Sequence, residues 1–290
     1  MNAVLRVIVF DVEHGACVFI KTPTGHGLMI DCGRKDRFSP ARYIATHEAS
    51  GLTPHNGHIL TKLVVTHPHD DHIEDIDNVK TLLPPAILLR QHYVWEQLKI
   101  DPRGDYSNLD SYVAWQQTYN QPATAPDLGI ELGAHSLSPA EAGQLGESSF
   151  VNNSSFAIVV RYQGPRYSWK FLIGGDLEST GWKALLARPH FREAVKGTAF
   201  FIVSHHGHTS GYYKELFDAF GARPIVNIAS VHRKDESVDP AYSREDHAMG
   251  VNLAGQTRRM MSTRSDGSIV VEIDDTDQYS VYPYRLVDNE

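Results

Sequence analysis

The stretch KLVVTHPHDDH, residues 62–72, joins a short apolar run to a dense cluster of metal-binding side chains. The apolar half has the length and β-branched content of a buried strand. His67 and His69 follow it, and side chains two residues apart on an extended chain point the same way. Asp71 and His72 come next, and imidazole nitrogen and carboxylate oxygen suit zinc, manganese or iron. The pattern H-x-H-x-D-H therefore predicts a metal site where this strand ends.

In the rest of the chain, predicted strands dominate both halves, with predicted helices between them. Residues 4–12, 16–22 and 27–31 are expected to form an antiparallel meander. Two further apolar runs also end in polar clusters: WKFLI leads into Gly174-Gly175-Asp176, and AFFIV leads into Ser204-His205-His206-Gly207. The pattern predicts an α/β fold in which two packed sheets are covered by outer helices.

Residues 92–150 show weaker periodicity and are rich in Pro, Gly, Ser and Asn. We expect them to form a substrate-side insertion within a single domain that spans 1–290. Their one amphipathic piece carries Tyr112, Trp115 and Tyr119 at helical spacing. That spacing favours aromatic side chains in the core over a wall of the substrate site.

Composition excludes several classes of protein. The chain has 290 residues, 41% hydrophobic and 21% charged, close to the average of globular domains. Its apolar runs are shorter than the roughly 18 residues that a membrane span needs. The first ten residues lack the cleavage site of a signal peptide, and Cys17 and Cys32 are too few for a disulfide framework. We therefore expect a cytoplasmic protein that does not associate with membranes.

Charge argues against a protein that coats DNA. The net charge is −8 with histidine neutral, and the sequence contains no block of Lys and Arg. Strong duplex binding is not expected, since such binding usually needs a basic face. A phosphorylated or nucleic-acid-derived substrate stays compatible with this charge, because bound divalent metals supply positive charge locally. The oligomeric state is not indicated. Isolated histidines such as His14 are expected to be surface or hydrogen-bonded residues.

The motif THPHDDH resembles the signature of the metallo-β-lactamase-fold hydrolases, and the order of strands and helices is similar over nearly the whole chain. The resemblance implies a four-layer αββα sandwich with two divalent metal ions at one edge. It implies that His67 and His69 bind the first ion, and that Asp71 and His72 bind the second. Zinc is the favoured metal, with manganese and iron as alternatives.

Within that family the chain resembles the ComEC/Rec2-type members. The stretch FDVEHGACVFIKTPTGHGLMIDCG, residues 10–33, is similar to their D-V-G-Q-G-D-A, hairpin and L-I-D-G-G sequence. Glu13 and Ala16 depart from that pattern, and Ala16 removes an acidic side chain. Four residues match it: Asp11, Gly15, Asp31 and Gly33.

The same resemblance assigns roles to the two later clusters. It implies that Asp176 bridges both metals and that one of His205 and His206 binds the second. His206 is favoured, although spacing does not separate the two. Asp71 and Asp176 are the expected catalytic carboxylates, with Asp71 orienting the attacking hydroxide. His208 stands where those members carry a serine.

The first metal site is expected to be poor in protein ligands. Asn152-Asn153-Ser154-Ser155 stands where many lactamase-type members place a third histidine. That site would then be open to a substrate oxygen. Either Asn152 or Asn153 lines the gap as a substrate contact, or the pair simply begins a turn or strand; both interpretations stay open.

Further substrate contacts are hypotheses. His208 and His232 are candidate substrate-binding residues and proton donors, and His247 is a third candidate donor. Arg233 and Lys234 either meet an anionic substrate or form a solvated loop.

The resemblance implies a hydrolase that uses a metal-bridging hydroxide. The missing third histidine and the H-H-G segment favour a phosphodiesterase or nuclease-type enzyme. An acyl hydrolase, either a lactonase or a β-lactamase-like enzyme, is one alternative, and it would favour a full three-histidine site. A non-catalytic metal-binding sensor or interaction protein is the other, and it predicts lost ligands. The sequence has no G-x-S-x-G elbow and no P-loop.

Overall fold

Two mixed β-sheets form the centre of the fold. The structure is a computed structural model that describes residues 3–99, 106–146, 149–231 and 237–285. Its strands are β1 (Ala3–Val9), β2 (Val18–Lys21), β3 (Gly27–Ile30), β4 (Leu60–Val64), β5 (Pro85–Leu89), β6 (Glu131–His135), β7 (Ala157–Gln163), β8 (Ser168–Ile173), β9 (Phe200–Ile202), β10 (Val226–Ala229), β11 (Val251–Leu253), β12 (Gln256–Arg258), β13 (Met260–Ser262), β14 (Ser268–Asp274) and β15 (Tyr279–Tyr284).

Helices connect these strands. Short turns of 3₁₀ or π type also occur among the described residues, at Ile44–Glu48, Ala49–Gly51, His205–Gly207, Thr209–Gly211 and Pro240–Ser243. A further 3₁₀ turn covers Trp95–Leu98. The α-helices are α1 (Pro40–Tyr43), α2 (Asp70–Ile73), α3 (Ile76–Leu82), α4 (Ser107–Gln116), α5 (Pro139–Gly143), α6 (Phe150–Asn153), α7 (Ser179–Leu186), α8 (Pro189–Val195), α9 (Lys214–Phe220) and α10 (Thr263–Asp266).

The two sheets mix antiparallel and parallel neighbours. The seven-stranded sheet has the order β15-β14-β1-β2-β3-β4-β5, and the six-stranded sheet has the order β13-β10-β9-β8-β7-β6. The predicted antiparallel meander is confirmed in β1, β2 and β3, where Val7 lies opposite Ile20. β3, β4 and β5 then run parallel. In the other sheet β8, β9, β10 and β13 are parallel.

Alternation along the strands separates three apolar layers. Val18 and Ile20 of β2 face the layer between the sheets, whereas Phe19 faces the layer under the helices α1, α3 and α4. In β9, Phe200 likewise lies between the sheets, and Phe201 packs under α7, α8 and α9. Both faces of these strands are buried, which explains their continuous apolar runs. The four-layer αββα sandwich is therefore the fold, as the sequence predicts.

The described part of 92–150 contributes to both halves of the fold. Tyr112 of α4 is 1% exposed and packs in the layer under the seven-stranded sheet, with Trp115 and Tyr119 partly buried against it. These aromatic residues are core residues, as expected. β6 adds the edge strand of the six-stranded sheet. Among the described residues, no helix has the length and apolar character needed to cross a membrane.

Candidate metal centre

Polar residues from both sheets meet at one edge of the sandwich. β3 and β4 are parallel neighbours in one sheet, and β8, β9 and β10 are parallel neighbours in the other. The chain just beyond their carboxyl ends carries Asp31, His67, Asp176, His206 and Ser230, in that order. Because the carboxyl ends of parallel strands share an edge, residues distant in sequence converge there.

Gly15 and Gly33 allow neighbouring backbone to pack closely against the loop of residues 67–72. The Ala16 amide donates to the carbonyl oxygen of Asp71 at 3.2 Å, and the Gly33 amide donates to the carbonyl oxygen of Ala16 at 2.9 Å. A Cβ atom on Gly15 or on Gly33 would lie 2.4 Å from the Asp71 carbonyl oxygen. Gly15 also has φ +136°. Both glycines therefore permit a close backbone approach that a side chain would prevent.

The larger group of candidate ligands surrounds Asp71. His206 Nε2 lies 3.0 Å from Asp71 Oδ2, and His72 Nε2 lies 3.2 Å from Asp176 Oδ1. Ligand atoms at about 2.0–2.1 Å from a tetrahedral zinc ion lie roughly 3.4 Å apart, so these spacings fit a metal site. One ligand atom from each of four residues lies within 4.8 Å of the others: Asp71, His72, Asp176 and His206.

A second group shares Asp176 with the first. It consists of His67, His69 and Asp176, again with ligand atoms within 4.8 Å of one another. His67 Nε2 lies 3.0 Å from His69 Nδ1 and 3.7 Å from Asp176 Oδ2. His69 is exposed, so this group opens to solvent. The two groups thus meet at one carboxylate and differ in how many protein ligands they offer.

The environment of His72 fits a metal ligand. The ring is fully buried, and its Nε2 has no hydrogen-bond partner although it faces the carboxylates. Its Nδ1 lies 2.8 Å from Asp31 Oδ2. The Asp31 carboxylate also accepts from the amide and the hydroxyl of Thr66, each at 2.7 Å. A carboxylate on Nδ1 places the ring proton there and turns the Nε2 lone pair towards the metal group.

Side-chain contacts distinguish the two adjacent histidines. His206 Nδ1 lies 3.0 Å from the carbonyl oxygen of Ser230, which can only accept, so Nε2 faces Asp71 and Asp176. His205 lies outside both ligand groups, and its Nδ1 contacts the Ser210 hydroxyl at 2.7 Å.

Three positions of this centre are strained. His205 and His206 have φ +50° and +54°, and Asp31 has φ +57°. Such backbone conformations cost on the order of 1–3 kcal/mol each and concentrate at functional sites. The strain therefore points to function at the same residues that the hydrogen bonds orient.

Burial and charge set the protonation of the cluster. Burial lowers the pKa of His67 well below its usual range, which favours the neutral ring that binds metals. Burial acts the same way on His72 and His206, but the carboxylates of Asp176 and Asp71 outweigh it. They raise the pKa of His72 well above its usual range and that of His206 to about 10. A divalent cation held by these residues would compete with those protons, because histidine binds metals as the neutral ring.

The same charges act on the carboxylates. Burial alone would raise the pKa of Asp71 and Asp176, but the neighbouring His72 and His206 hold both below their usual range. Both carboxylates are therefore ionised in the folded protein at neutral pH. Ionised carboxylate oxygen is the form that binds zinc, manganese or iron.

A cavity of about 150 Å³ lies beside the larger group, lined by His14, His205, His206 and His208. His14 Nε2 lies 3.6 Å from Asp71 Oδ2, and its ring centroid is 5.0 Å from that of His206. His14 is exposed, as the sequence predicts for an isolated surface histidine, and it nevertheless lies beside the metal centre. The available signal was its place directly before Gly15 in the matched N-terminal pattern.

Asn152 and Asn153, the candidate substrate contacts, form hydrogen bonds to the start of α7 and the residue before it. Asn153 is buried; its Oδ1 accepts from the Glu178 amide and its Nδ2 donates to the Thr180 hydroxyl, both at 3.1 Å. Asn153 thus holds the start of α7. Asn152 Nδ2 donates to Glu178 Oε1 at 3.2 Å, and its Oδ1 is buried without a hydrogen-bond partner.

Four further residues are candidate substrate contacts or proton donors from the sequence. His232, Arg233 and Lys234 lie outside the described residues. His247 is buried, and its Nε2 lies 2.9 Å from the Tyr212 hydroxyl. It therefore belongs to a packed layer, and it lines neither ligand group nor the histidine cavity.

Comparisons with known proteins give distant likenesses. No protein-family model and no curated protein sequence matches the chain. The metallo-β-lactamase-fold protein YhfI from Bacillus subtilis is 11% identical, with a TM-score of 0.40 over 79% of this chain and 88% of that one. An isothiocyanate hydrolase from Delia radicum gut bacteria is 12% identical, with a TM-score of 0.45 over 95% and 99%. A long form of RNase Z from yeast is 9% identical, with a TM-score of 0.47 over 95% and 42%.

These similarities do not bear on the substrate. The four layers and the strand order define an αββα sandwich, the architecture that the sequence resemblance implies. The candidate metal centre lies at the edge where the parallel strands of both sheets end.

Proposed function

We propose that the protein is a metal-dependent hydrolase that cleaves phosphodiesters. The observation that carries this proposal is the shared Asp176, which belongs to both ligand groups and would join two metal ions. Two such ions, when bound, act as Lewis acids and activate water near neutral pH. Zinc suits the nitrogen and oxygen donors, with manganese and iron as alternatives. The proposed ligands are His67, His69 and Asp176 for one ion, and Asp71, His72, Asp176 and His206 for the other.

Asp71 stands between the metal group and the histidine cavity. Its Oδ2 lies 3.0 Å from His206 Nε2 and 3.6 Å from His14 Nε2. Its carbonyl oxygen is held by the Ala16 amide at 3.2 Å, which fixes the loop that carries it. The carboxylate is therefore placed to orient a water molecule towards a substrate in the cavity, and orientation of reactants is a large part of catalysis.

His208 supplies a donor to the same cavity. The Ser210 amide donates to His208 Nδ1 at 3.2 Å, so this nitrogen accepts and a neutral ring carries its proton on Nε2. The Ser210 hydroxyl lies between His208 Nδ1, at 2.9 Å, and His205 Nδ1, at 2.7 Å. We propose that His208 binds the substrate through this N–H, because a phosphoryl group presents several oxygens that accept such bonds.

The choice of a phosphodiester rests on the open ligand group. Among the described residues, two histidines and one shared carboxylate form that group, and the exposed ring of His69 borders solvent. A site with few protein ligands leaves room for a substrate oxygen. A cytoplasmic location remains part of this proposal, and the substrate would be phosphorylated or derived from a nucleic acid.

The test is hydrolysis of bis-(p-nitrophenyl) phosphate by protein loaded with zinc or manganese. Asp176→Asn removes the shared ligand. Asp277→Asn is a matched control, because Asp277 is also buried but lies in neither ligand group. Activity that Asp176→Asn loses and Asp277→Asn keeps would support the proposal. Hydrolysis of a lactone without the diester would indicate an acyl hydrolase. Two bound metals without any hydrolysis would indicate a metal-binding sensor.

A further inference from the structure

The loop that follows β9 carries two histidines, His205 and His208, that belong to neither ligand group among the described residues. Both line the cavity of about 150 Å³ beside the metal centre, together with His206, a proposed ligand. Their ring centroids lie 5.5 Å apart. His205 is half-buried and His208 is exposed. The proposed function gives a role to His208 and none to His205.

Hydrogen bonds within the loop and to its neighbours fix the position of these histidines. The His205 amide donates to the Gly175 carbonyl oxygen at 2.9 Å, and the His208 amide donates to the His205 carbonyl oxygen at 2.8 Å. The Ser204 hydroxyl donates to the Gly211 carbonyl oxygen at 3.0 Å. A Cβ atom on Gly211 would lie 2.7 Å from the Ser204 carbonyl oxygen, so the two ends of the loop are in contact.

Ser210 contacts both rings, through two different groups. Its amide donates to His208 Nδ1 at 3.2 Å. Its hydroxyl oxygen lies 2.7 Å from His205 Nδ1 and 2.9 Å from His208 Nδ1. An imidazole nitrogen has one lone pair, and the Ser210 amide already occupies that of His208 Nδ1. The hydroxyl proton is therefore directed to His205 Nδ1.

This arrangement determines which nitrogen of His205 carries a proton. A neutral ring whose Nδ1 accepts a hydrogen bond carries its proton on Nε2. The Glu178 carboxylate lies 3.9 Å from His205 Nδ1, which is beyond hydrogen-bond distance. His205 and His208 thus each have an Nε2–H donor. Two donors that bind one acceptor atom are at most about 5.8 Å apart, twice the length of a hydrogen bond. The spacing of the two rings therefore allows both donors to reach one phosphoryl group.

We propose that His205 is a second substrate-binding residue and that Ser210 is the positioning residue that directs its Nε2–H to the substrate. The proposal rests on the proposed function, because the substrate is the phosphodiester in the cavity beside Asp71. His205 and His208 both donate to the phosphoryl oxygens. His205 holds this position at φ +50°, a costly conformation that is concentrated at functional sites.

The tautomer of His205 is tested by nitrogen NMR of the full chain, loaded with zinc and carrying isotope-labelled histidine. In mildly alkaline buffer we expect His205 and His208 to carry their protons on Nε2. Ser210→Ala removes the hydroxyl and keeps the amide, so it should change the His205 signals and leave the His208 tautomer unchanged. His205→Asn identifies the His205 signals, because asparagine tolerates a positive φ. A wild-type His205 ring that carries its proton on Nδ1 would overturn the proposal.

Kinetics with bis-(p-nitrophenyl) phosphate test whether this donor binds the substrate. Ser210→Ala and His205→Asn should each raise KM roughly ten-fold at unchanged metal content, through loss of one hydrogen bond, and should act on KM rather than on kcat. Because Ser210 acts through His205, Ser210→Ala should have no further effect in the His205→Asn background. Ser210→Thr keeps the hydroxyl and should restore the wild-type KM. Independent, additive effects of the two substitutions would overturn the positioning role.

Ser111→Ala is the matched control. The Ser111 hydroxyl also bonds to two side chains, those of Asp77 and Lys80, and Ser111 does not line the histidine cavity. Its replacement should leave both the KM and the histidine tautomers unchanged.

Titration with inorganic phosphate separates this inference from the proposed function. The zinc-loaded protein should bind phosphate, and Ser210→Ala and His205→Asn should each weaken that binding roughly ten-fold, again through loss of one hydrogen bond. If the diester is not hydrolysed, the proposed function fails, and the phosphate titration still decides the role of His205. Wild-type phosphate affinity in both variants, or no phosphate binding by the wild type, would overturn that role.

Discussion

Replacing Asp31 by asparagine should weaken one of the two proposed metal sites and spare the other. Asp31 Oδ1 accepts from the Thr66 amide at 2.7 Å, and its Oδ2 lies 2.8 Å from His72 Nδ1. In Asp31→Asn the amide oxygen keeps the bond to Thr66, and the NH₂ group takes the place of Oδ2. His72 Nδ1 must then accept, which moves the ring proton to Nε2, the atom that faces the metal group.

The size of the effect follows from these contacts. Loss of an orienting partner behind a metal-bound histidine typically costs about 10- to 100-fold in metal affinity, equivalent to about 1.4–2.8 kcal/mol. Rotating the side-chain amide of Asp31→Asn by half a turn would not restore the wild-type hydrogen bonds. The NH₂ group would then oppose the Thr66 amide, leaving a buried donor unsatisfied at about 1–3 kcal/mol. The other group, His67, His69 and Asp176, does not contain His72.

The assay is a zinc titration in competition with a chelator, which resolves the two equivalents. We expect Asp31→Asn to bind one equivalent of zinc more weakly than the wild type does and the other with wild-type affinity. Asp277→Asn is the control. Asp277 is 3% exposed and accepts from Trp169 Nε1 at 3.0 Å and from the Arg166 amide at 2.6 Å, outside either ligand group. Wild-type binding of both equivalents by Asp31→Asn would refute the reasoning.

Three further predictions concern the same centre. Gly15→Ala should reduce zinc affinity and thermal stability, because the new Cβ would lie 2.4 Å from the Asp71 carbonyl oxygen. Gly221→Ala is the control: Gly221 also has a positive φ but faces open space, so this variant should leave zinc affinity unchanged. When a chelator has removed the metal, the free energy of unfolding should fall as pH rises from 6.5 towards about 10, because folding raises the pKa of His206 from 6.5 to about 10. Denaturant titrations that show stability rising over this pH range would contradict this prediction. His208→Ala should raise KM for the diester roughly ten-fold at unchanged metal content, through loss of one hydrogen bond, whereas the exposed His190→Ala should leave KM unchanged.

Local patterns in the sequence were sufficient for much of the fold. The apolar runs of β4, β8 and β9 predict strands because they are short and contain β-branched or aromatic residues. In the structure both faces of these strands contribute to apolar layers. β6 carries no such signal. Its sequence ELGAH is short and mostly exposed or half-buried, and it is a strand because it pairs with β7 at the sheet edge. Tertiary pairing here outweighs the local preference of the residues.

The candidate site likewise contains residues that sequence spacing predicts and contacts that it does not. His67, His69, Asp71 and His72 lie in one short segment, so their spacing alone predicts that they meet. The orienting role of Asp31 depends on the parallel pairing of β3 with β4, which no local pattern contains. The distinction between His205 and His206 depends on the Ser230 carbonyl oxygen, 24 residues away. Contacts of that kind follow from the assembled sheets and not from neighbouring residues.

We propose above that two metal ions share the Asp176 carboxylate. Anomalous X-ray scattering at the zinc edge, on crystals grown with zinc, tests it most directly. We predict two anomalous peaks, one among Asp71, His72, Asp176 and His206 and the other among His67, His69 and Asp176, with the Asp176 carboxylate between them. A single peak, or peaks that do not contact Asp176, would contradict the account.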